Sequence, residues 1–384
     1  VFLIDLIVFY LQLFFILYQL IFSMNINIFG STGVIGTKTL DLISQNFPNL
    51  KINLLCAKSN IKLLSKQIEK YKPKYAFIYD LEKIKNLNTK IGKTKFLNYS
   101  ELQSYLLSSR SDFSLLAVSG YKSLYYLEGI IENTDNLGIV SKEAIVSAGH
   151  IFKKKKYFDK TNIFPIDSEH FSLFELFNKI NVKSDIKKII LTASGGPFYK
   201  RKFNTLKNIK FSQAVKHPKW NMGYKNSIDS ATLVNKCLEL IEAHYLFDIP
   251  FNKMDILIHP QALVHSVVEF ENYTTQLNLF KNDMKIPILN FLLSTKLNKL
   301  QKNNNFFLKN YTNLNFQNVD NNTFPIYKFF KKIDKKLPQN IIKFNIGNEF
   351  AVNLFKNNEI KYTDIFKIIK KVTSINLYSS VNTI

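Results

Sequence analysis

At 384 residues, 46% hydrophobic and 21% charged, the chain can bury two or three sizeable cores and is too apolar for a disordered polymer. The formal charge of +23 invites a nucleic-acid partner, but only Arg110 and Arg201 offer the bidentate fork that base readers use, and lysine rises here together with Asn, Ile and Phe, as A/T-rich codons dictate; no nucleic acid is expected, while a basic surface suits anionic small molecules. Two distant cysteines, Cys56 and Cys237, exclude a disulfide scaffold, match no metal-ligand spacing and fit a reducing compartment.

Residues 1–23 are long and apolar enough for a membrane span, yet they carry neither a basic start nor a small-residue cleavage site. They run without a linker into MNINIFGSTG, which reads as a strand entering a phosphate loop. The fold is therefore expected to begin at Met24, with 1–23 an apolar extension outside it and no membrane anchoring. From 24 to about 152 the runs NINIF, KINLLCA, YAFIYD, FSLLAVS and LGIV alternate with helical patterns, predicting βαβ units and a parallel sheet. Residues 153–292 read as a second α/β domain, with strands at KKIILTA, DILI and VHSVVEF and one helix around 230–247. An Asn- and Lys-rich linker over 293–324 leads to a helical domain over 325–384, with helices at NEFAVNLFKN and TDIFKIIKKV.

Several stretches along this frame carry chemistry. Gly30-Ser31-Thr32-Gly33-Val34-Ile35-Gly36 closes the first strand and opens a helix, the setting in which backbone approaches a pyrophosphate; a tight turn without a ligand has the same composition. The second strand runs into Lys58-Ser59-Asn60 in place of the acidic residue that holds the ribose of NAD. A cation and a hydroxyl suit a 2′-phosphate, so NADPH is the expected cofactor, with a merely solvated lysine as the alternative. In Pro165-Ile166-Asp167-Ser168-Glu169-His170 the two carboxylates either cap the helix that FSLFELF predicts or form half of a hard-cation site. Ser194-Gly195-Gly196 can aim donors at an anion, though an ordinary Gly-Pro turn explains it equally. Residues 216–223, KHPKWNMG, hold the only tryptophan and suit a flap over a ligand or a loop with a core Trp. In SATLVNKCLELIEAHYLF, Asn235, Lys236 and Glu239 share a helix face beside Ser230, either as a solvated surface or as an anion and metal pocket.

In order along the chain, GSTGVIG, SKEAIVSAG, PIDSEH, SGGPF, HPKWNMG, SIDSATLVNKCLELIEA, IHPQALVHSVVEF and NEFAV resemble the motifs of the 1-deoxy-D-xylulose 5-phosphate reductoisomerase family, from roughly Met24 to Val372. The resemblance implies an α/β fold with an N-terminal Rossmann-like NADP-binding domain, an α/β catalytic domain and a C-terminal α-helical bundle. It implies a metal site of Asp167, Glu169 and Glu239 for Mg²⁺ or Mn²⁺, and catalytic roles for these three with Lys142 and His217. Substrate contacts would come from Lys142, Ser168, Glu169, Ser194, His217, Trp220, Met222, Ser230, Asn235, Lys236 and Glu239. NADPH contacts would come from Gly30, Thr32, Gly33, Val34, Ile35, Lys58, Ser59, Asn60, Ser141, Glu143 and Gly223. His265 resembles a family histidine that supports the pocket. The implied reaction converts 1-deoxy-D-xylulose 5-phosphate, a small phosphorylated sugar, to 2-C-methyl-D-erythritol 4-phosphate, in a homodimer of a bacterial cytoplasm or plastid-type organelle.

The sequence departs from the family at three points. Ser141-Lys142-Glu143 stands where Asn-Lys-Glu is usual, Ala57-Lys58-Ser59-Asn60 replaces Ala-Gly-Lys-Asn, and the helical bundle ends early, near residue 374. Two alternatives are a different NADP-linked oxidoreductase of a phosphorylated small molecule, which calls for a reactive cysteine, and a decayed, non-catalytic homologue.

Overall fold

The computed structural model describes residues 24–80, 90–180, 185–219, 222–294, 313–376 and 381. The apolar extension 1–23 and Trp220 with Asn221 of the expected flap lie outside the described residues.

Asn25–Phe29 forms β1, whose Ile26, Asn27, Ile28 and Phe29 are all buried, as a central strand covered on both faces requires. It pairs in parallel with β2 (Lys51–Ala57) on one side and β6 (Ser111–Leu116) on the other. With β3 (Tyr75–Ile78), β4 (Lys90–Ile91), β5 (Thr94–Phe96), β7 (Thr134–Ile139) and β8 (Asn162–Pro165), the described strands make a sheet of order β4-β5-β3-β2-β1-β6-β7-β8. All its pairings are parallel except β4 with β5. The strand order reverses at β1, and a crevice opens there outside the carboxyl ends of β1 and β6. The helices α1 (Val34–Asn46), α2 (Ile61–Tyr71), α3 (Tyr99–Ser108), α4 (Leu124–Glu132) and α5 (Lys142–Lys154) connect these strands.

After α6 (Ser168–Phe177) come β9 (Ile186–Ala193), β10 (Met254–Ile258), β11 (Val264–Phe270), β12 (Thr275–Leu279) and β13 (Gln317–Asn318), in the order β12-β11-β9-β10-β13. Helices α7 (Tyr224–Thr232) and α8 (Val234–Phe247) separate β9 from β10, and α9 (Lys285–Leu292) follows β12. The chain closes with α10 (Pro325–Lys332), α11 (Pro338–Lys356) and α12 (Asp364–Thr373). One buried cluster unites the first sheet with α5, α8, β9 and α11, through Phe29, Ile145, Leu238, Leu191 and Phe344 among others. A second fills the opposite face of the first sheet, where Phe291 of α9 meets Phe113 edge-on at 5.4 Å.

The structure corrects four sequence expectations. The helix expected over 230–247 is two helices, broken at Leu233, whose φ of 68° is left-handed. Strand β8 adds to the first sheet beyond the boundary expected at 152; its four residues are too few for periodicity to reveal, and Pro165 is tolerated because β8 is an edge. Helix α9, assigned to the second domain, packs on the first sheet. The stretch expected as a linker over 293–324 includes β13, which pairs with β10.

Candidate active site

The functional side chains stand at the ends of strands. Lys142 opens α5 just after β7, and Asp167 and Glu169 stand where β8 gives way to α6, so all three cluster at the carboxyl edge of the first sheet. Ser194 follows β9, and Glu239 projects from α8. The break at Leu233 lets α8 start afresh, with Asn235 and Lys236 in its first turn.

These groups converge. Ligand oxygens of Asp167, Glu169 and Glu239 lie within 4.8 Å of one another. The Lys142 ammonium donates at 2.9 Å to Asp167 Oδ2, Asn235 Oδ1 and Glu239 Oε1. Lys236 reaches Glu169 Oε1 at 2.6 Å and Glu239 Oε2 at 2.7 Å, and Asn235 Nδ2 donates to Glu239. Asp167 caps α6 as well: its Oδ1 accepts from the Glu169 N–H at 3.2 Å while Oδ2 holds Lys142. The cap and the cluster, posed as alternatives by the sequence, are one residue's two oxygens.

Burial governs the charges here. It would lower the Lys142 ammonium, but Asp167, Glu239 and Glu242 outweigh it and hold that group well above the usual lysine value. Burial would raise Asp167 and Glu169; Lys142 and His170 bring Asp167 well below the ordinary carboxylate range, and Lys236 with His265 bring Glu169 to about 2. Glu239, the most enclosed, is pushed up, first by burial and then by Asp167. The three candidate ligands offer only carboxylate oxygens, and these converge within 4.8 Å of one another. That set fits a hard divalent cation such as Mg²⁺ or Mn²⁺ and not zinc.

Ser194 shows how an anion would be received. His217 Nδ1 accepts from the Lys219 N–H at 3.2 Å, so the ring proton sits on Nε2, which donates to Ser194 Oγ at 3.0 Å. Ser194 Oγ also accepts from Gly196 N–H at 3.3 Å, which leaves its own hydrogen to donate. Burial, helped by Lys236, lowers the His217 pKa to about 4 and keeps the ring neutral. Gly196, at φ 63°, lets the turn press on α7: a Cβ there would lie 2.8 Å from Ser230 O.

One cleft of about 880 Å³ joins this cluster to the glycine loop. Its lining includes Gly30, Thr32, Gly33, Val34, Ile35 and Lys58 at one end; Lys142, Asp167, Ser168, Glu169, Ser194, His217, Ser230, Asn235, Lys236 and Glu239 at the other; and Met222 and Gly223 beside them. The loop is tight because a Cβ on Gly36 would come within 2.3 Å of Gly30 O.

Other expected residues stand elsewhere. Asn60 caps α2 through Leu63 N–H, and neither it nor Ser59 lines the cleft. Ser141 is buried and donates to Val118 O, and Glu143 is buried against Lys225 at 2.7 Å. His265 stacks on Phe280 with Nδ1 4.0 Å from Glu169, behind the carboxylate rather than in the cleft.

The chain belongs to the 1-deoxy-D-xylulose 5-phosphate reductoisomerase family. Residues 26–149 match that family, 163–247 its C-terminal domain and 279–384 the DXP reductoisomerase C-terminal domain. The chain is 37% identical over 360 residues to the reductoisomerase of Pelagibacter ubique, covering 91% of this chain and 90% of that one. It is 38% identical over 355 residues to that of Clostridium tetani, covering 90% and 91%. Its fold matches the Zymomonas mobilis reductoisomerase solved with NADPH, at a TM-score of 0.81, 28% identity and 94% coverage of both chains. It also matches a reductoisomerase solved with NADPH, fosmidomycin and magnesium, at 0.82 and 29%, covering 91% and 89%. The sequence-level assignment to this family and to its α/β fold therefore holds.

Reductoisomerase motifs also hid residues the sequence reading left unassigned. His170 donates from Nε2 to Glu239 O at 2.8 Å, with Nδ1 3.3 Å from Asp167 and 3.2 Å from Glu242. Burial would lower it, but Glu242 and Asp167 raise it to about 9. Its signal was present: it follows Asp167 by three residues, as Glu242 follows Glu239. Glu349, Val352 and Asn353, from the NEFAVN stretch, line the cleft as well. Both cysteines are buried with thiols raised by that burial, so neither offers the nucleophile a rival dehydrogenase needs.

Proposed function

We propose that the cleft binds NADPH along its glycine loop and a divalent cation at Asp167, Glu169 and Glu239. The enzyme rearranges and reduces 1-deoxy-D-xylulose 5-phosphate to 2-C-methyl-D-erythritol 4-phosphate, a step of isoprenoid precursor biosynthesis. One observation carries this assignment of residues: a three-carboxylate cluster and a dinucleotide loop share a single cleft. Bound there, the cation polarises the substrate's carbonyl and hydroxyl oxygens and NADPH supplies the reducing equivalent.

The chain's own residues do the rest. Lys142 delivers a cation's charge to the oxygens beside Asp167 and Glu239, where negative charge develops. The phosphate is received by the Ser194 hydroxyl, Ser230, Asn235 and Lys236, at the positive N-terminal end of α8. Neutral His217 fixes the direction of the Ser194 hydroxyl and adds no charge. Ser168 donates to Glu169 Oε2 at 2.6 Å and holds that carboxylate in place. Met222 meets the substrate from the cleft lining. Gly30, Thr32, Gly33, Val34 and Ile35 cradle the pyrophosphate, Lys58 meets the 2′-phosphate with Ser59 and Asn60 behind it, and Gly223 contacts NADPH from the cleft lining, while Ser141 and Glu143, buried outside that lining, serve the cofactor only through Val118 and Lys225.

The assembly is a homodimer in this proposal, supported by the outer strand β12, an edge of the second sheet with Leu277 exposed beside Tyr273. Among the described residues no helix is long and apolar enough to cross a membrane. A bacterial cytoplasm or plastid-type organelle suits the two free, buried cysteines. The test is NADPH oxidation by the full chain. Turnover that requires both 1-deoxy-D-xylulose 5-phosphate and Mg²⁺ or Mn²⁺ is expected; turnover without the metal, or none with it, overturns the assignment.

A further inference from the structure

A second buried charge cluster adjoins the reaction centre. Lys225 Nζ lies 2.7 Å from Glu143 Oε1 and 2.7 Å from Asp229 Oδ2, and all three residues are buried. The other Asp229 oxygen accepts from Asn348 Nδ2 at 2.8 Å. Both carboxylates neighbour a proposed catalytic or substrate group: Glu143 follows Lys142 in the first turn of α5, and Asp229 precedes Ser230 on α7.

Asn348 belongs to α11, which grips its surroundings at three points. Asn345 Nδ2 donates to Ser147 Oγ of α5 at 3.1 Å, Asn348 donates to Asp229 of α7, and Glu349 Oε2 accepts from Tyr121 N–H at 3.3 Å in the loop after β6. Positions 345, 348 and 349 share one helix face. That face touches the element behind Lys142, the element behind Ser230 and the rim of the nucleotide crevice. These contacts are poor ways to gain stability. Asn345 and Asn348 are buried with amide oxygens that meet no hydrogen-bond partner among the described residues, a cost an apolar side chain of similar shape avoids.

We infer that Asn348 is a positioning residue: through Asp229, Lys225 and Glu143 it sets where Ser230 and Lys142 stand across the cleft. Helix α11 thereby joins the catalytic apparatus through Asn348, which itself does not line the cleft. The inference rests on the function proposed above. Two carboxylates drawn to one ammonium, with a fourth group fixing the free oxygen, hold a narrower geometry than apolar packing does, and a reacting group misplaced by about 1 Å costs about a hundredfold in rate.

The test uses Asn348→Leu, which removes the bond at similar volume, and Asp229→Asn, which keeps the shape and cancels a charge. Each is expected to lose about ten- to a hundredfold in kcat, with KM for substrate and NADPH within about threefold of wild type. Asn348→Leu leaves a buried Asp229 oxygen without its donor, so it is expected to melt a few degrees below the wild-type temperature and still be folded where kcat is measured. The double variant is expected to be no worse than the poorer single one, because both act through one contact. Wild-type kcat in Asp229→Asn overturns the inference, as does a kcat loss in proportion to the loss of folded protein. Should Asn348→Leu fail to fold, Asp229→Asn decides alone. An inactive wild type overturns the functional proposal and this inference together; an active wild type with unimpaired variants overturns this inference only.

Discussion

The two ends of the cleft handle charge in opposite ways. At the reaction end Lys142 and Lys236 are buried, each within 3 Å of the buried Glu239, whereas at the nucleotide end Lys58 is exposed and Lys38 and Lys122 stand part-way into solvent. Lys122 rests over the Tyr79 ring at 4.1 Å and Lys38 lies 3.8 Å from Asp283, both loose, solvent-screened contacts. Buried charges interact strongly and tolerate no missing partner, while exposed ones tune affinity. Substitutions at the reaction end should therefore abolish function or destabilise the fold, and those at the rim should shift preference.

The largest effect is expected from Glu239→Gln, which keeps the shape and removes a ligand charge. Because the cation contributes several kcal/mol to the transition state, kcat should fall by about three orders of magnitude, roughly 4 kcal/mol, while the circular dichroism of the fold is unchanged. A variant that retains most of its turnover would separate Glu239 from the metal. Next, Lys236→Met leaves Glu169 and Glu239 facing each other without their shared ammonium. Unfolding free energy in EDTA should drop by about 3 kcal/mol and recover in part with saturating Mn²⁺, as followed by denaturant titration. No recovery would mean that the cation does not bind those carboxylates.

At the rim the expected effects are smaller. Lys58→Glu should narrow the preference for NADPH over NADH by about ten- to 150-fold, the equivalent of one charge-assisted hydrogen bond, measured as the ratio of kcat/KM values. An unaltered ratio would return Lys58 to the solvated surface. Smallest of all is a contact outside the cleft. Asp255, part-exposed, is drawn down despite burial by Lys188 at 2.7 Å and by Tyr327. A lowered folded-state value gives stability above the unfolded aspartate pKa that is lost as pH falls through the folded one. Asp255→Asn should thus cost less than about 1 kcal/mol at pH 7, and the difference from wild type should vanish well below pH 4. A gap that widens in acid would reverse the sign of this coupling.

How much of this was legible in the sequence differs between the two ends. The glycine loop is local: Gly30 to Gly36 lie between one strand and one helix, so strand–loop–helix order announced it, and the structure puts five of those expected residues in the cleft lining. The reaction cluster is assembled from segments up to 97 residues apart, and only its local pieces could be read directly: the Asp167 and Glu169 pair, and the i,i+3 and i,i+4 spacings within α8. Lys225 illustrates the limit. In a chain this rich in lysine nothing marks one as buried, and only the fold brings it to Glu143 and Asp229. The break at Leu233 escaped for a related reason: a leucine in left-handed backbone is strained, so composition argues for an unbroken helix there. Asn60, expected near the 2′-phosphate, also caps α2 with its side chain, a use that the turn's composition does not reveal. The order of the motifs carried the family, and the contacts distribute its residues.

Asp167 gives the most direct test of the whole account, because its two oxygens serve both a helix cap and the cluster. Mn²⁺ binding to wild type and to Asp167→Asn, followed by electron paramagnetic resonance titration, separates the two roles, since asparagine caps a helix about as well as aspartate. Asp167→Asn should fold normally and bind Mn²⁺ at least about tenfold more weakly than wild type. Equal Mn²⁺ affinity in the two proteins would contradict this.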